Sequence, residues 1–219
     1  MTITCLSEVP LPERCVVVFD LEDTLYPERD FVVSAFRAVS ALLDGGAALD
    51  RMVELFDSGE ADVFGRALDE TGSDLSKEHL LRTYREHVPT LTLDPNVREL
   101  LEQLARDDHP LGLITDGRSL TQRNKIEALG LGTILDEIVI SEEFGSGKPD
   151  KRNYRHFESR FPGRPCAYVA DNPVKDFVSP NRLGWTTVCL LDRGSNIHPQ
   201  DFDAFADEYL PEYRIRSLA

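Results

Sequence analysis

Two hydrophobic periods alternate along the chain. Val16-Val17-Val18-Phe19 is apolar at every position and mostly β-branched, the pattern of a strand covered on both faces of a parallel sheet. It runs straight into Asp20-Leu21-Glu22-Asp23-Thr24-Leu25. After Tyr26-Pro27 the period becomes helical. Val32, Ala35, Phe36, Val39, Leu42 and Leu43 share one face, and Gly45-Gly46 ends the run. Met52, Val53 and Phe56 predict a second helix that stops near Gly59, and helical stretches follow over residues 61–70 and 77–87. No convincing strand falls between Tyr26 and Pro89. Residues 26–91 therefore read as a helical insert, with an ordinary part of one helical domain as the alternative.

From Asp94 the strand–helix alternation resumes. Val97, Leu100, Leu101 and Leu104 mark an amphipathic helix, and residues 110–114 a short apolar strand. Residues 120–129 predict a helix closed by Gly130, and residues 134–140 contain a strand. In the loop Gly145-Ser146-Gly147-Lys148-Pro149, the proline suits a first helical position. Residues 166–170 form another apolar run, Pro173 is placed to open a helix, and residues 185–191 predict one more strand. This spacing argues an α/β fold: a three-layer, Rossmann-like parallel sheet core, residues 1–25 and 92–219, interrupted by the helical block. There are no internal repeats or low-complexity segments.

Charge narrows the partners. The 219 residues carry a formal net charge of −15 and no basic run, which argues against nucleic acid and anionic membrane surfaces. Met1–Pro12 lacks the basic start and long apolar stretch of a signal peptide, and no segment approaches the length of a membrane span. Cys5, Cys15, Cys166 and Cys189 show no metal-type spacing and read as reduced, small apolar residues. The expectation is a cytoplasmic protein; oligomeric state is not readable.

The chemistry gathers at strand and loop ends: Asp20, Thr115-Asp116-Gly117, Lys148, and Asp171 with Asp176. Carboxyl ends of parallel strands are where open α/β sheets build their sites. Asp20, Glu22 and Asp23 place three carboxylates in four residues, which repel unless a cation or phosphate chemistry uses them. A core strand ending in a solvated acidic turn is the plainer alternative for this stretch taken alone.

The segment VVVFDLEDTL resembles the first motif of the haloacid dehalogenase-like hydrolases, an apolar strand followed by Asp-x-Asp-x-Thr. LGLITDGR resembles the second motif, GSGKPD the third and YVADNPVKDF the fourth, in the family's order. The resemblance spans Val16 to Leu191. Glu22 replaces the second Asp of the first motif, Asp23 stands where many members have Gly, and Ala170 replaces the usual Gly of the fourth. It implies a Mg²⁺-dependent phosphatase of a small phosphorylated metabolite, with residues 26–91 as a helical cap. Asp20 would be the nucleophile and form an aspartyl phosphate, splitting one hard step into two. Mg²⁺ would be held by Asp20, the backbone carbonyl of Glu22, and Asp171, with Asp176 as an outer-shell partner. Lys148 would hold Asp20 and the phosphate as a point charge. The Thr115 hydroxyl and the backbone N–H groups of Asp116 and Gly117 would bind phosphate oxygens.

Glu22 takes the place of the family's general acid. It keeps the carboxylate but adds a methylene, while proton transfer needs a heavy-atom distance of about 2.6–3.2 Å. A working acid in a remodelled site is favoured because the other motifs are intact. The alternatives are a catalytically weak phosphate-ligand-binding or regulatory protein of the same fold, and a haloacid dehalogenase. Tyr26, Glu28 and Arg29 at the hinge, with Arg37 and Arg118, are further candidates for substrate contact.

Overall fold

The computed structural model describes residues 1–194 and 196–219. Its sheet has seven strands: β1 (Thr2–Cys5), β2 (Val16–Phe19), β3 (Leu111–Thr115), β4 (Glu137–Ile140), β5 (Cys166–Ala170), β6 (Thr186–Leu190) and β7 (Tyr213–Ser217). All neighbours are parallel, in the order β1-β7-β6-β5-β2-β3-β4. From β2 the chain builds outward through β3 and β4 on one side and later through β5 and β6 on the other. The order therefore reverses between β2 and β5, and the crevice at such a switch point is where these sheets bind ligands.

The helices are α1 (Glu28–Ser40), α2 (Gly46–Asp57), α3 (Val63–Thr71), α4 (Lys77–Glu86), α5 (Pro95–Arg106), α6 (Ser119–Ala128), α7 (Ser141–Phe144), α8 (Lys151–Arg160) and α9 (Val178–Arg182). Alternation along β2 sorts the core into two layers. Val17 and Phe19 pack with Leu101 of α5 and Ile126 of α6, whereas Val16 and Val18 pack with Tyr154 and Phe157 of α8. All four β2 residues are fully buried, each worth roughly 1.5–3 kcal/mol relative to exposure. The strand that carries Asp20 is thus held rigidly from both faces.

Helices α1–α4 lie between β2 and β3 in sequence and enclose a cluster of their own, built on Val32, Phe36, Met52, Phe64 and Leu80. Asp62 caps α3 by accepting the Gly65 N–H at 3.0 Å, and Ser76 caps α4 by accepting that of His79 at 3.2 Å. No helix among the described residues is long and apolar enough to cross a membrane.

Several sequence expectations shift. β1 and β7 are present where no strand was read. Both lie at the far edge of the sheet and bury only part of each strand, so neither forms an apolar run. Pro149 does not start a helix; α8 begins two residues later, with Asp150 as the cap that accepts the Arg152 N–H. Pro173 opens a turn instead of a helix, and α9 starts at Val178. The four cysteines are free thiols, and three are buried.

Gly112 on β3 faces the Phe157 ring so closely that a Cβ would run into it. Gly112→Ala is expected to destabilise the protein by about 1–3 kcal/mol through overpacking. The check is a lower urea midpoint with an unchanged slope.

Candidate active site

The site begins at Asp20, the first residue beyond β2, whose backbone N–H continues the ladder to the Val169 carbonyl of β5 at 2.9 Å. That bond sets Asp20 beside the end of β5, from which Asp171 emerges. The loop after β4 and α7 brings in Lys148. Its ammonium lies 2.7 Å from Asp20 Oδ1 and 2.9 Å from Asp176 Oδ1, with its side chain wholly out of solvent. The loop reaches this depth because Gly147 packs against Asp116, where a Cβ would crowd Oδ1 at 2.9 Å. The Lys148 N–H then donates to Asp116 Oδ1 at 3.0 Å.

Asp176 is fully buried, and both its carboxylate oxygens are engaged. Besides Lys148, its Oδ1 accepts from the Tyr168 hydroxyl at 3.2 Å and its Oδ2 from the Asn172 N–H at 3.0 Å. Carboxylate oxygens of Asp20, Asp171 and Asp176 all lie within 4.8 Å of one another. Three buried acids cluster together, and two of them, Asp20 and Asp176, contact one buried ammonium. Burial pushes the Asp20 carboxyl up to about 7 against the pull of Lys148, with Asp176 and Glu22 adding to the rise. Burial and then Asp20 push Asp171 up to about 8. An all-oxygen donor set with surplus negative charge is the chemistry of a hard divalent cation, so the residues fit Mg²⁺.

The Glu22 carboxylate points toward α6. It accepts from Lys125 Nζ at 2.6 Å, Gln122 Nε2 at 2.9 Å and Thr115 Oγ1 at 3.1 Å. Burial works against its charge, but Lys125 and the hydrogen bonds prevail and hold it below the usual range. Thr115, at the end of β3, is fully buried and gives its hydroxyl to Glu22 while accepting from Gln122. Gly117, with φ 150°, spends its N–H on Ser141 Oγ at 2.9 Å. In this conformation the Thr115 and Gly117 donors anticipated for phosphate are both engaged by protein groups.

Asp23 adopts φ 51°, a left-handed backbone that favours glycine and that aspartate enters more readily than most residues. Its two carboxylate oxygens accept the N–H groups of Glu28 at 2.8 Å and Ile197 at 2.9 Å.

A cavity of about 290 Å³ opens over Asp20 and Asp171, between the sheet end and the α1–α4 block. Glu28 and Phe31 of α1, Tyr84 and Arg85 of α4, Gln122 and Lys125 of α6, and Arg118 also line it. Burial, reinforced by Glu22, pushes the Glu28 carboxyl up to about 7. Of the other hinge candidates, Arg29 pairs with Asp57 at 2.8 Å inside the helical block, and Arg37 and Tyr26 do not line this cavity. Gln122 and Lys125 were not anticipated. They sit three apart on one face of α6 and are 1% and 4% exposed, so only burial, not residue type, distinguishes them from a solvated helix face.

Residues 17–189 match the haloacid dehalogenase-like hydrolase family. The chain belongs to that family. This haloacid dehalogenase-like hydrolase is 28% identical over 218 residues to a glyceraldehyde 3-phosphate phosphatase of Methanocaldococcus jannaschii, covering 92% of each chain. It is 34% identical over 161 residues to a phosphoserine phosphatase of Thermus thermophilus, covering 72% of this chain and 63% of that protein. Among solved structures, a magnesium-bound hydrolase of the family from Bacillus subtilis superposes with a TM-score of 0.67 at 20% identity, over 92% of this chain and 94% of that one. That likeness carries the fold, a parallel Rossmann-like sheet.

The raised carboxyls give a pH prediction for the metal-free protein. Asp20 and Asp171 ionise near pH 4 when unfolded but only near pH 7 and 8 when folded, so between these values the folded state holds more protons. In chelator, stability should therefore fall as pH rises from about 4 to about 8. Added Mg²⁺ should raise the melting temperature more at pH 8 than at pH 6, because it needs the ionised carboxylates. Thermal melts across pH with and without Mg²⁺ check this; a shift independent of pH contradicts it.

Proposed function

We propose that the protein is a Mg²⁺-dependent phosphatase that cleaves the monoester of a small phosphorylated metabolite through an aspartyl phosphate on Asp20. One observation carries the reading: Asp20, fixed by the central strand, shares a buried cluster with Asp171 and Asp176 and, like Asp176, contacts Lys148. The named activities of the two phosphatase relatives agree with it.

Asp20 Oδ1 is already oriented by Lys148, which leaves Oδ2 as the attacking oxygen. Lys148 offsets charge as a phosphoryl group approaches, the condition for one anion to attack another. Mg²⁺, held by Asp20, Asp171 and the Glu22 carbonyl, would supply further neutralisation of the phosphate oxygens. Asp176 is engaged by Lys148, Tyr168 and Asn172 and acts by fixing them. Thr115 and the Asp116 and Gly117 N–H groups would grip phosphate oxygens. For Thr115 this means exchanging its bond to Glu22 for one to the ligand.

Glu22 manages the proton. In the ionised form that Lys125 enforces, its first competence is as the base that activates water against the aspartyl phosphate. Having taken that proton, it is the acid for the next leaving alcohol. The α1–α4 block, residues 26–91, serves as a cap whose closure keeps bulk water from the intermediate. Arg85 and Arg118 form no ion pair among the described residues and line the cavity, where they favour an anionic substrate. A cavity of this size suits a small metabolite and not a phosphoprotein.

Asp20→Asn should abolish turnover of any phosphate monoester while the protein still folds. Wild-type activity in that variant sinks the mechanism. Excess chelator should silence the wild type, and Ca²⁺, with more and longer oxygen bonds, should not replace Mg²⁺.

Glu22→Gln keeps size and backbone but neither gives nor takes a proton. Turnover of an alkyl phosphate should fall by about 10²–10⁴-fold, and the first step with an activated aryl phosphate should suffer less. Steady-state and burst-phase rates on the two esters are the measurement. An alkyl rate equal to wild type would remove Glu22 from proton transfer.

A further inference from the structure

Glu22 is one methylene longer than the aspartate usual at its place, and the extra reach ends at α6. Lys125 Nζ and Gln122 Nε2 both donate to its Oε1, at 2.6 and 2.9 Å. The Lys125 side chain is 5% exposed, and Glu22 is its ion-pair partner. The same ammonium lies 3.9 Å from the centroid of the Phe31 ring, on the first helix of the cap. The adjoining side of α6 grips the cap's last helix and the segment after it. Thr121 Oγ1 donates to the Arg85 carbonyl at 2.9 Å, and Asn124 Nδ2 donates to the His87 carbonyl at 3.2 Å. One helix turn therefore holds the cap with two residues and Glu22 with two others.

We infer that Lys125 is a positioning residue: it sets the direction of the Glu22 carboxylate and ties that direction to the seating of the cap through Phe31. The inference rests on the reading that Glu22 handles protons. A glutamate has three side-chain torsions, and its carboxylate sweeps several ångströms unless fixed, whereas proton transfer tolerates only a few tenths. Gln122 and Thr115 are neutral and can hold a carboxylate, but only Lys125 both pairs its charge and touches the cap. When α1 moves away, Phe31 leaves the ammonium and the pair loses a wall. Glu22 is then held in its working direction only while the cap is closed. Lys125 borders the cavity, but its ammonium is spent on Glu22 and the Phe31 ring, so it acts through Glu22.

The test is a double-mutant cycle on the full protein with Lys125→Met, Glu22→Gln and both together, measuring kcat and KM for one alkyl and one aryl phosphate. Lys125→Met should lower kcat for the alkyl ester by about 10–10²-fold, the scale of an ångström-sized misplacement, and for the aryl ester by clearly less. In the Glu22→Gln background, Lys125→Met should produce no further alkyl-selective loss. Phe31→Leu keeps apolar bulk but removes the ring face; it should give the same selectivity at about two- to fivefold.

Lys125→Met leaves a lone buried carboxylate, so Lys125→Arg is measured as well. It keeps the pairing charge, preserves the fold and should recover part of the alkyl rate. Equal losses on both esters, or an alkyl-selective loss that persists beside Glu22→Gln, would overturn the inference as a merely structural effect. A damaging Glu22→Gln with a silent Lys125→Met overturns the inference alone. A silent Glu22→Gln overturns the acid–base reading and this inference with it.

Discussion

Crowding of negative charge at one point of the sheet is the constraint on which the molecule turns. Asp20 and Asp171 leave adjacent strands at the place where strand order reverses, and Asp176 folds back beneath them. One lysine cannot balance them, and burial prevents water from doing so. A chain does not keep such an arrangement for stability, because well-packed apolar residues would serve better. It persists where an incoming group carries the missing positive charge or the charge is used in reaction. The packing of β2 from both faces, the glycine that lets the Lys148 loop approach, and the bonds that engage Asp176 all restrain groups that would otherwise push apart.

The helical block stands apart in construction. Its aromatic cluster joins Phe36 to Phe56, Phe64 and Tyr84 with rings in edge contact or tilted, and Tyr84 packs against the sheet's core as well. It meets the rest of the chain through Phe31 and Ala35 of α1, which are buried in the sheet's core cluster, and through defined contacts such as Thr121 with the Arg85 carbonyl and Lys125 with Phe31. A surface of that kind can change its cavity-facing residues without disturbing the strands that fix the chemistry. This is why one sheet can serve many substrates and why the substrate is not written in the motifs.

What could be read from the sequence follows the same division. β2, β3 and β5 were legible because they are buried on both faces and therefore apolar throughout. β1 and β7 were not, since strands at the far edge need no continuous apolar run; the alternation of Tyr213 and Ile215 with Arg214 and Arg216 was the faint trace of β7. Asp20, Lys148 and Asp171 announced themselves by position, at strand ends or in a glycine-bordered loop. Gln122 and Lys125 could not, because a polar residue on a helix is ordinary until a distant segment covers it. Their burial is a product of α1 and the Glu22 loop, both about a hundred residues away in sequence. The direction of the Glu22 side chain was equally hidden: its length was visible, its partners were not.

Asp23 shows what the chain did with the freedom that glycine would have given. It accepts a strained left-handed backbone and uses the side chain to hold two amides, one at the start of α1 and one in the segment following β6. Hydrogen bonds to a charged acceptor contribute about 1.5–3 kcal/mol each, enough to outweigh the strain. Both segments line the same cavity, through Glu28 and through His198 beside Ile197. Bolted to one carboxylate, they are geared: the first cannot swing outward without either breaking a charged hydrogen bond or dragging the second along. The carboxylate that ties the two segments together also lines the cavity, so one side chain sets both the spacing of two walls and part of the surface they enclose.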